Sequence, residues 1–203
     1  IDRYMKRRDA LKNIWLAAGF AAIKPSIFSM FQSCTSNTET WIPNYLTSDE
    51  KTVVTNLVDI IIPKTAATPA ATEVGVPQFI DNYILEVLET KDQEITRAAF
   101  NKIITLLKPD SESNLDDITQ EQYKALLDEH MFLSKEIDPE REANPEALEM
   151  TSSEFLNQLK WMTIYAYKHS EEVGENILAY DPIPTAYYCG DLQELTGGKS
   201  YSL

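Results

Sequence analysis

Two histidines and two cysteines are scattered through a chain of 203 residues, and none sits at a spacing that builds a reaction centre. His130 falls on an apolar stripe at helical spacing, where a histidine reads as part of a core. His169 falls near a helix end, where the dipole favours positive charge. Neither belongs to a Glu-x-x-His or His-x-x-x-His pattern that would hold a metal. There is no Cys-x-x-Cys-His for haem and no cysteine cluster for iron–sulfur. A GxGxxG turn and a GxxxxGK loop are both absent, so neither dinucleotide nor P-loop binding is indicated. Six glycines in the whole chain argue the same way. Nothing local marks a nucleophile elbow, although a Ser-His-Asp set could still form in space. The pairs Asp116-Asp117 and Glu171-Glu172 read as solvated faces. An enzyme whose site uses His130 or His169 is one of three readings that the chain leaves open.

Arg7 and Arg8 carry a more directed message. Residues 5–34 read MKRRDALKNIWLAAGFAAIKPSIFSMFQSC, a basic head, an apolar body and a terminal cysteine. That is the layout of a twin-arginine export signal, which moves proteins that are already folded, with a lipoprotein ending at Cys34. Lys24 and Pro25 interrupt the body. A spanning helix needs about 20 apolar residues, and a lysine at its centre costs about 3 kcal/mol. The segment therefore reads as a signal or surface-anchor helix rather than a stable span. An ordinary amphipathic helix packed on the body is the plainer alternative. Ser33 fits a lipobox and Phe31 fits it loosely, so Cys34 is either lipidated, buried as a thiol, or bonded to Cys189. The chain starts at Ile1, and Met5 reads as internal with the true start upstream. The segment is expected to stay on the protein as an anchoring or structural helix.

Charge separates this head from the rest. Residues 1–33 hold six basic and two acidic side chains, a net of +4, so the overall −14 leaves −18 on the remainder. Such a body repels nucleic acid, and any contact with an anionic membrane belongs to the basic head. Hydrophobic content of 43% supports a real core, and ten tyrosines and three tryptophans suit interfaces as well as cores. The division expected is a signal or anchor over residues 1–33 and one domain over residues 34–203.

The elements that would organise that domain are helical. Three capping boxes announce helix starts: Thr47 with Glu50, Thr119 with Gln122, and Thr151 with Glu154. The first opens a helix with Val53, Val54, Leu57, Val58 and Ile61 on one face, stopped by Pro63. The second leads to Tyr123, Leu126, Leu127, His130 and Met131. The third leads to Phe155, Leu159, Met162 and Ala166, with Trp161, Tyr165 and Tyr167 among them. Pro77 sits at a first-turn position before Phe79, Ile80, Tyr83, Ile84 and Val87. A further helix is expected over residues 92–107, ending before Pro109. Loops are expected over residues 63–76, 109–118 and 138–150, and a tail from Tyr180. Few segments alternate with period two. The fold expected is all-α, a single compact domain of about five or six helices with an N-terminal signal or anchor helix and an extended C-terminal tail.

Two stretches resemble a known family. Residues 46–63, LTSDEKTVVTNLVDIIIP, continue through Thr65, Thr68-Pro69 and the run GVPQFID at residues 75–81. Residues 155–160, FLNQLK, are followed by Tyr165, Tyr167, Ser170, Gly174, the run YDPIP at 180–184 and YYCG at 187–190. These, with the RRDAL of the signal, resemble the small subunit (subunit 3, or gamma) of gluconate 2-dehydrogenase and related flavin-dependent sugar dehydrogenases. The resemblance covers most of the chain in the right order. Ala67-Thr-Pro-Ala70 stands where the family often has Asp-Thr-Pro-Gly, and Thr185 where Gly is usual. Residues 110–150 have no counterpart in the resemblance and read as specific to this chain.

The resemblance implies a division of labour. A GMC-type large subunit would hold FAD and oxidise a sugar or sugar acid, and a cytochrome c subunit would take the electrons onward with haem c. The small subunit would carry no cofactor. It would supply the export signal to the twin-arginine translocase and support folding of the flavoprotein. That predicts a periplasmic, membrane-associated subunit of an oxidoreductase complex in a Gram-negative bacterium, not catalytic by itself. Pro182 and Pro184 stiffen the tail, and Tyr187 and Tyr188 offer large area at low entropy cost. With Tyr165 and Tyr167 they are the expected contacts to the large subunit, or else they close the domain's own core. The second reading of the chain is a free-standing periplasmic helical scaffold or binding lipoprotein.

Overall fold

The computed structural model describes residues 41–108, 114–131, 137–181, 183 and 189–202. The chain divides into the units Ile1–Trp41 and Ile42–Leu203, and the description below concerns the second. Arg7, Arg8, Cys34, Pro182, Pro184, Tyr187 and Tyr188 lie outside the described residues.

Helix α1 (Ser48–Ile61) starts at the predicted capping box: Thr47 accepts from the Glu50 amide, and Glu50 reaches back to the Thr47 amide at 2.8 Å. It buries Val53, Val54, Leu57 and Val58, while Ile61 is only half-buried. The connection to the next helix is not a bare loop. It holds a 3-10 turn, Thr72–Val74, which Asp59 fastens to α1 by accepting from the Thr72 amide and hydroxyl at 2.9 and 2.7 Å. Gly75 then takes φ +78°, a left-handed turn that a Cβ would strain, and α2 (Val76–Glu86) begins in the next residue. Pro77 occupies the first turn, where its missing N–H costs nothing.

Helix α3 (Thr90–Leu107) starts two residues before the expected position and ends at Leu107, before Pro109, with Lys108 as its C-cap. Its buried face is Thr96, Ala99, Phe100, Ile103 and Leu107. A 3-10 turn, Leu115–Asp117, precedes α4 (Gln120–His130), whose capping box forms as predicted. The acidic stretch expected as loop contains a short helix, α5 (Pro139–Ala143). Helix α6 (Ser152–Lys168) carries the third capping box and runs into a π-helical turn, Glu172–Ile177. Near the C-terminus lie α7 (Leu192–Thr196) and one isolated bridge, in which residue 201 pairs in parallel with Ala179.

Five helices of eleven residues or more thus build an all-α body, and the described residues contain no strand. Helix α1 is central: it packs against α2, α3, α4 and α6. Phe100 of α3 meets Phe155 of α6 edge to face, with centroids 4.7 Å apart. Among the described residues no helix is long and apolar enough to cross a membrane.

Candidate functional site

Helix α6 is apolar on two sides. Its inner face buries Phe155, Leu156, Leu159, Thr163 and Ala166 against the body. Its outer face presents Trp161, 65% exposed, and Tyr165, 54% exposed, one turn apart. Helix α2 does the same. Ile80 and Ile84 are fully buried, while Phe79 and Tyr83 form a second stripe beside those outer residues of α6. A surface helix ordinarily has one apolar stripe, and a second one marks a face that something else covers.

The two outer stripes enclose a groove of about 540 Å³ between the helices. Phe79 stacks on Tyr83 at 6.0 Å and 22°, and it meets Tyr165 at 6.0 Å with the rings tilted by 45°. Tyr165 stacks on His169 at 4.0 Å. His169 is fixed in place because its amide donates to the Tyr165 carbonyl at 3.1 Å and its Nδ1 lies 2.8 Å from the same oxygen. Lys168 completes the end of the groove. Beside it, Lys160 sits 5.6 Å from the Trp161 ring centroid, with its Nζ donating to Asn157 at 2.8 Å. No carboxylate lines the groove among the described residues.

The two tyrosines of α6 singled out from sequence part company. Tyr165 lines the groove. Tyr167 is buried on the opposite side, and its hydroxyl donates to the Pro69 carbonyl at 2.8 Å. Phe79, Tyr83, Trp161 and Lys168 were not singled out. The available signal was the phase of Trp161 and Tyr165, which fall on a different side of the helix from Leu159, Thr163 and Ala166.

The charged clusters are occupied with holding the fold. Glu50, 1% exposed, accepts from Arg97 as well as from the Thr47 amide. Arg97 lies 4.1 Å over the Tyr45 ring and donates to the Tyr45 carbonyl at 3.1 Å. Burial pushes the Tyr45 phenol up, and its hydroxyl donates to the Gln93 carbonyl at 2.8 Å. The acidic loop is latched by Arg141, which donates to the carbonyls of Ala147 and Glu149 and forks onto Glu154 at 2.9 and 2.6 Å. The Arg141 bond holds Glu154 below the usual carboxylate range. Burial raises the Glu140 pKa, but hydrogen bonds from Lys102 and Ser152 outweigh it and keep that carboxyl low as well.

His130 is half-buried in the last turn of α4 and His169 is exposed at the end of α6, so the two sit at the ends of different helices. Among the described residues no group of three or more His, Cys, Asp or Glu side chains is placed to hold a metal. Asp116, Asp117, Glu171 and Glu172 are exposed, as solvated faces should be, and Cys189 is exposed too.

A family model described as gluconate 2-dehydrogenase subunit 3 matches residues 48–184, a range that runs through the 110–150 stretch. No curated protein and no solved structure matches the chain.

Proposed function

Because this chain belongs to the gluconate 2-dehydrogenase subunit 3 family, we propose that it is the non-catalytic small subunit of an exported, membrane-associated flavin dehydrogenase. In this reading the large, GMC-type subunit holds FAD and oxidises a sugar or sugar acid, and a cytochrome c subunit accepts the electrons. The small subunit binds the folded flavoprotein, supports its folding, and lends it the Arg7-Arg8 signal. The pair then crosses the membrane by the twin-arginine route into the periplasm.

Family membership carries this reading. The paired aromatic stripes of α2 and α6 support it, because exposed Trp and Tyr on a rigid helical face are the side chains that anchor protein partners. The acidic body outside the signal supports it too, since it disfavours nucleic acid and leaves membrane contact to the basic head.

The test is export of the pair. Changing Arg7 and Arg8 together to Lys should leave both this chain and a yellow flavoprotein in the cytoplasm. Cys34→Ser should release the complex from membranes if a lipid holds it there. Native membranes that yield the chain with no flavoprotein would instead favour the free-standing scaffold.

A further inference from the structure

The groove between α2 and α6 has a shape and a charge that specify what fills it. Its walls are two helices, each contributing aromatic side chains one turn apart: Phe79 and Tyr83 on one, Trp161 and Tyr165 on the other. Ridges at that spacing receive a third helix, whose own i, i+4 row drops between them. From Trp161 to His169 the wall spans nine residues, eight rises of 1.5 Å or about 12 Å, which matches two turns of a partner helix. A small ligand fits less well. Such ligands are usually enclosed on most sides, whereas Trp161 and Tyr165 each remain more than half exposed.

Charge narrows the occupant further. On a body of net −18, the side chains lining this groove include the cation Lys168 and no carboxylate among the described residues, with Lys160 beside Trp161. A second copy of the chain would bring its own acidic surface, but also the same basic rim against the first. A partner helix with an acidic residue past its apolar row meets Lys168 favourably and is steered toward that end of the groove.

Building on the small-subunit reading, we propose that the groove formed by Phe79, Tyr83, Trp161 and Tyr165 receives an amphipathic helix of the flavin-bearing large subunit. That helix carries apolar residues at i, i+4 and i+7 and a carboxylate one turn further on, opposite Lys168. Trp161 is the anchor of the contact.

The test uses the full chain and the flavoprotein that co-purifies with it. In hydroxyl-radical footprinting, Trp161 and Tyr165 should be oxidised readily in the free chain and protected in the complex. The matching protection on the flavoprotein should fall on one helix with the stated pattern. Trp161→Ala should weaken binding at least tenfold while leaving the melting temperature of the free chain unchanged. Lys168→Glu should weaken binding more at low salt than at high salt. If the complex forms while Trp161 is oxidised at its free rate and Trp161→Ala binds normally, the groove proposal fails and the small-subunit reading stands. If no flavoprotein accompanies the chain, both fail. A dimer of the chain alone that Trp161→Ala abolishes, or protection of Trp161 already in the free monomer, would also overturn the proposal, by assigning the groove to a second copy or to the chain's own N-terminal segment.

Discussion

The Tyr167 hydroxyl donates to the Pro69 carbonyl at 2.8 Å across 98 residues of sequence. It ties the last turn of α6 to the segment between α1 and α2, and it separates Tyr167 from Tyr165, two residues earlier. Removing the hydroxyl leaves a carbonyl without its partner at a site only 8% exposed. Tyr167→Phe should therefore cost about 1 kcal/mol and lower the melting temperature by about 2–4 °C. Tyr165→Phe, on the exposed face, should leave thermal unfolding unchanged. Equal melting of the two variants would show that the Tyr167 bond contributes nothing.

Asp81 is fully buried, and its two carboxylate oxygens accept from the amides of Asn44, Tyr45 and Leu46 at 2.7, 2.9 and 2.8 Å. This one side chain on α2 anchors the strand of chain that enters α1. Asp81→Asn replaces an acceptor oxygen by an NH2 aimed at backbone donors, leaving at least one amide unpaired in the interior. The expected loss is about 3 kcal/mol, or about 6–12 °C in melting temperature. Asp81→Ala should cost no less. A calorimetric scan in which Asp81→Asn melts with the parent would remove the carboxylate from the account of how this end of the body is held.

The latch on the acidic loop should open in acid. Glu154 is held low first by its bond from Arg141. Glu140 is held low because the bonds from Lys102 and Ser152 outweigh its burial. A carboxyl whose folded pKa is depressed contributes stability above its ordinary value, about 4.3 for glutamate, and loses it as pH falls through the lower folded value. Below about pH 4.3, amide exchange over residues 142–150 should rise before global unfolding. Glu154→Gln should show the faster exchange already at neutral pH. Glu73, held low by Lys64, titrates in the same direction, but on the separate loop before α2, so exchange resolved by peptide distinguishes the two.

Much of this architecture was legible because it depends on local rules. Capping boxes and helical spacing placed α1, α4 and α6 by their first residue, and Pro77 and Pro109 bounded two more elements. What was not legible depends on which side of a helix faces a neighbour. Phe79 and Ile80 look equally apolar in sequence, yet Ile80 is fully buried and Phe79 is not. Only the direction from which α6 approaches α2 decides that. The same holds for Tyr165 and Tyr167. Nor could composition show that residues 138–150, an acidic run, fold around Arg141 while Lys102 holds Glu140 and the Met150 carbonyl, since much of what these cations bind is backbone carbonyl that every residue possesses. The groove was hidden for a related reason: it is made of residues that neither helix needs for its own packing.

The three capping boxes, equal as sequence patterns, should prove unequal in energy. At Thr119 the box is exposed, with the Thr119 amide bonded to Gln122 at 2.9 Å and the return bond at 3.4 Å, so Thr119→Ala should cost about 1 kcal/mol, the ordinary value of a cap. Thr151 is buried, and besides accepting from the Glu154 amide at 3.1 Å its hydroxyl donates to Asp138 at 2.5 Å. Thr151→Ala removes the cap of α6 and also strips Asp138, itself the cap of α5, of a partner. The expected cost is about 2–3 kcal/mol, a cap plus one charge-assisted bond. Thr151→Ser keeps the hydroxyl and should recover most of it. Chemical denaturation of the four proteins, parent included, measures the ranking. If Thr119→Ala and Thr151→Ala unfold at the same denaturant concentration, the bond from Thr151 to Asp138 adds nothing to the cap.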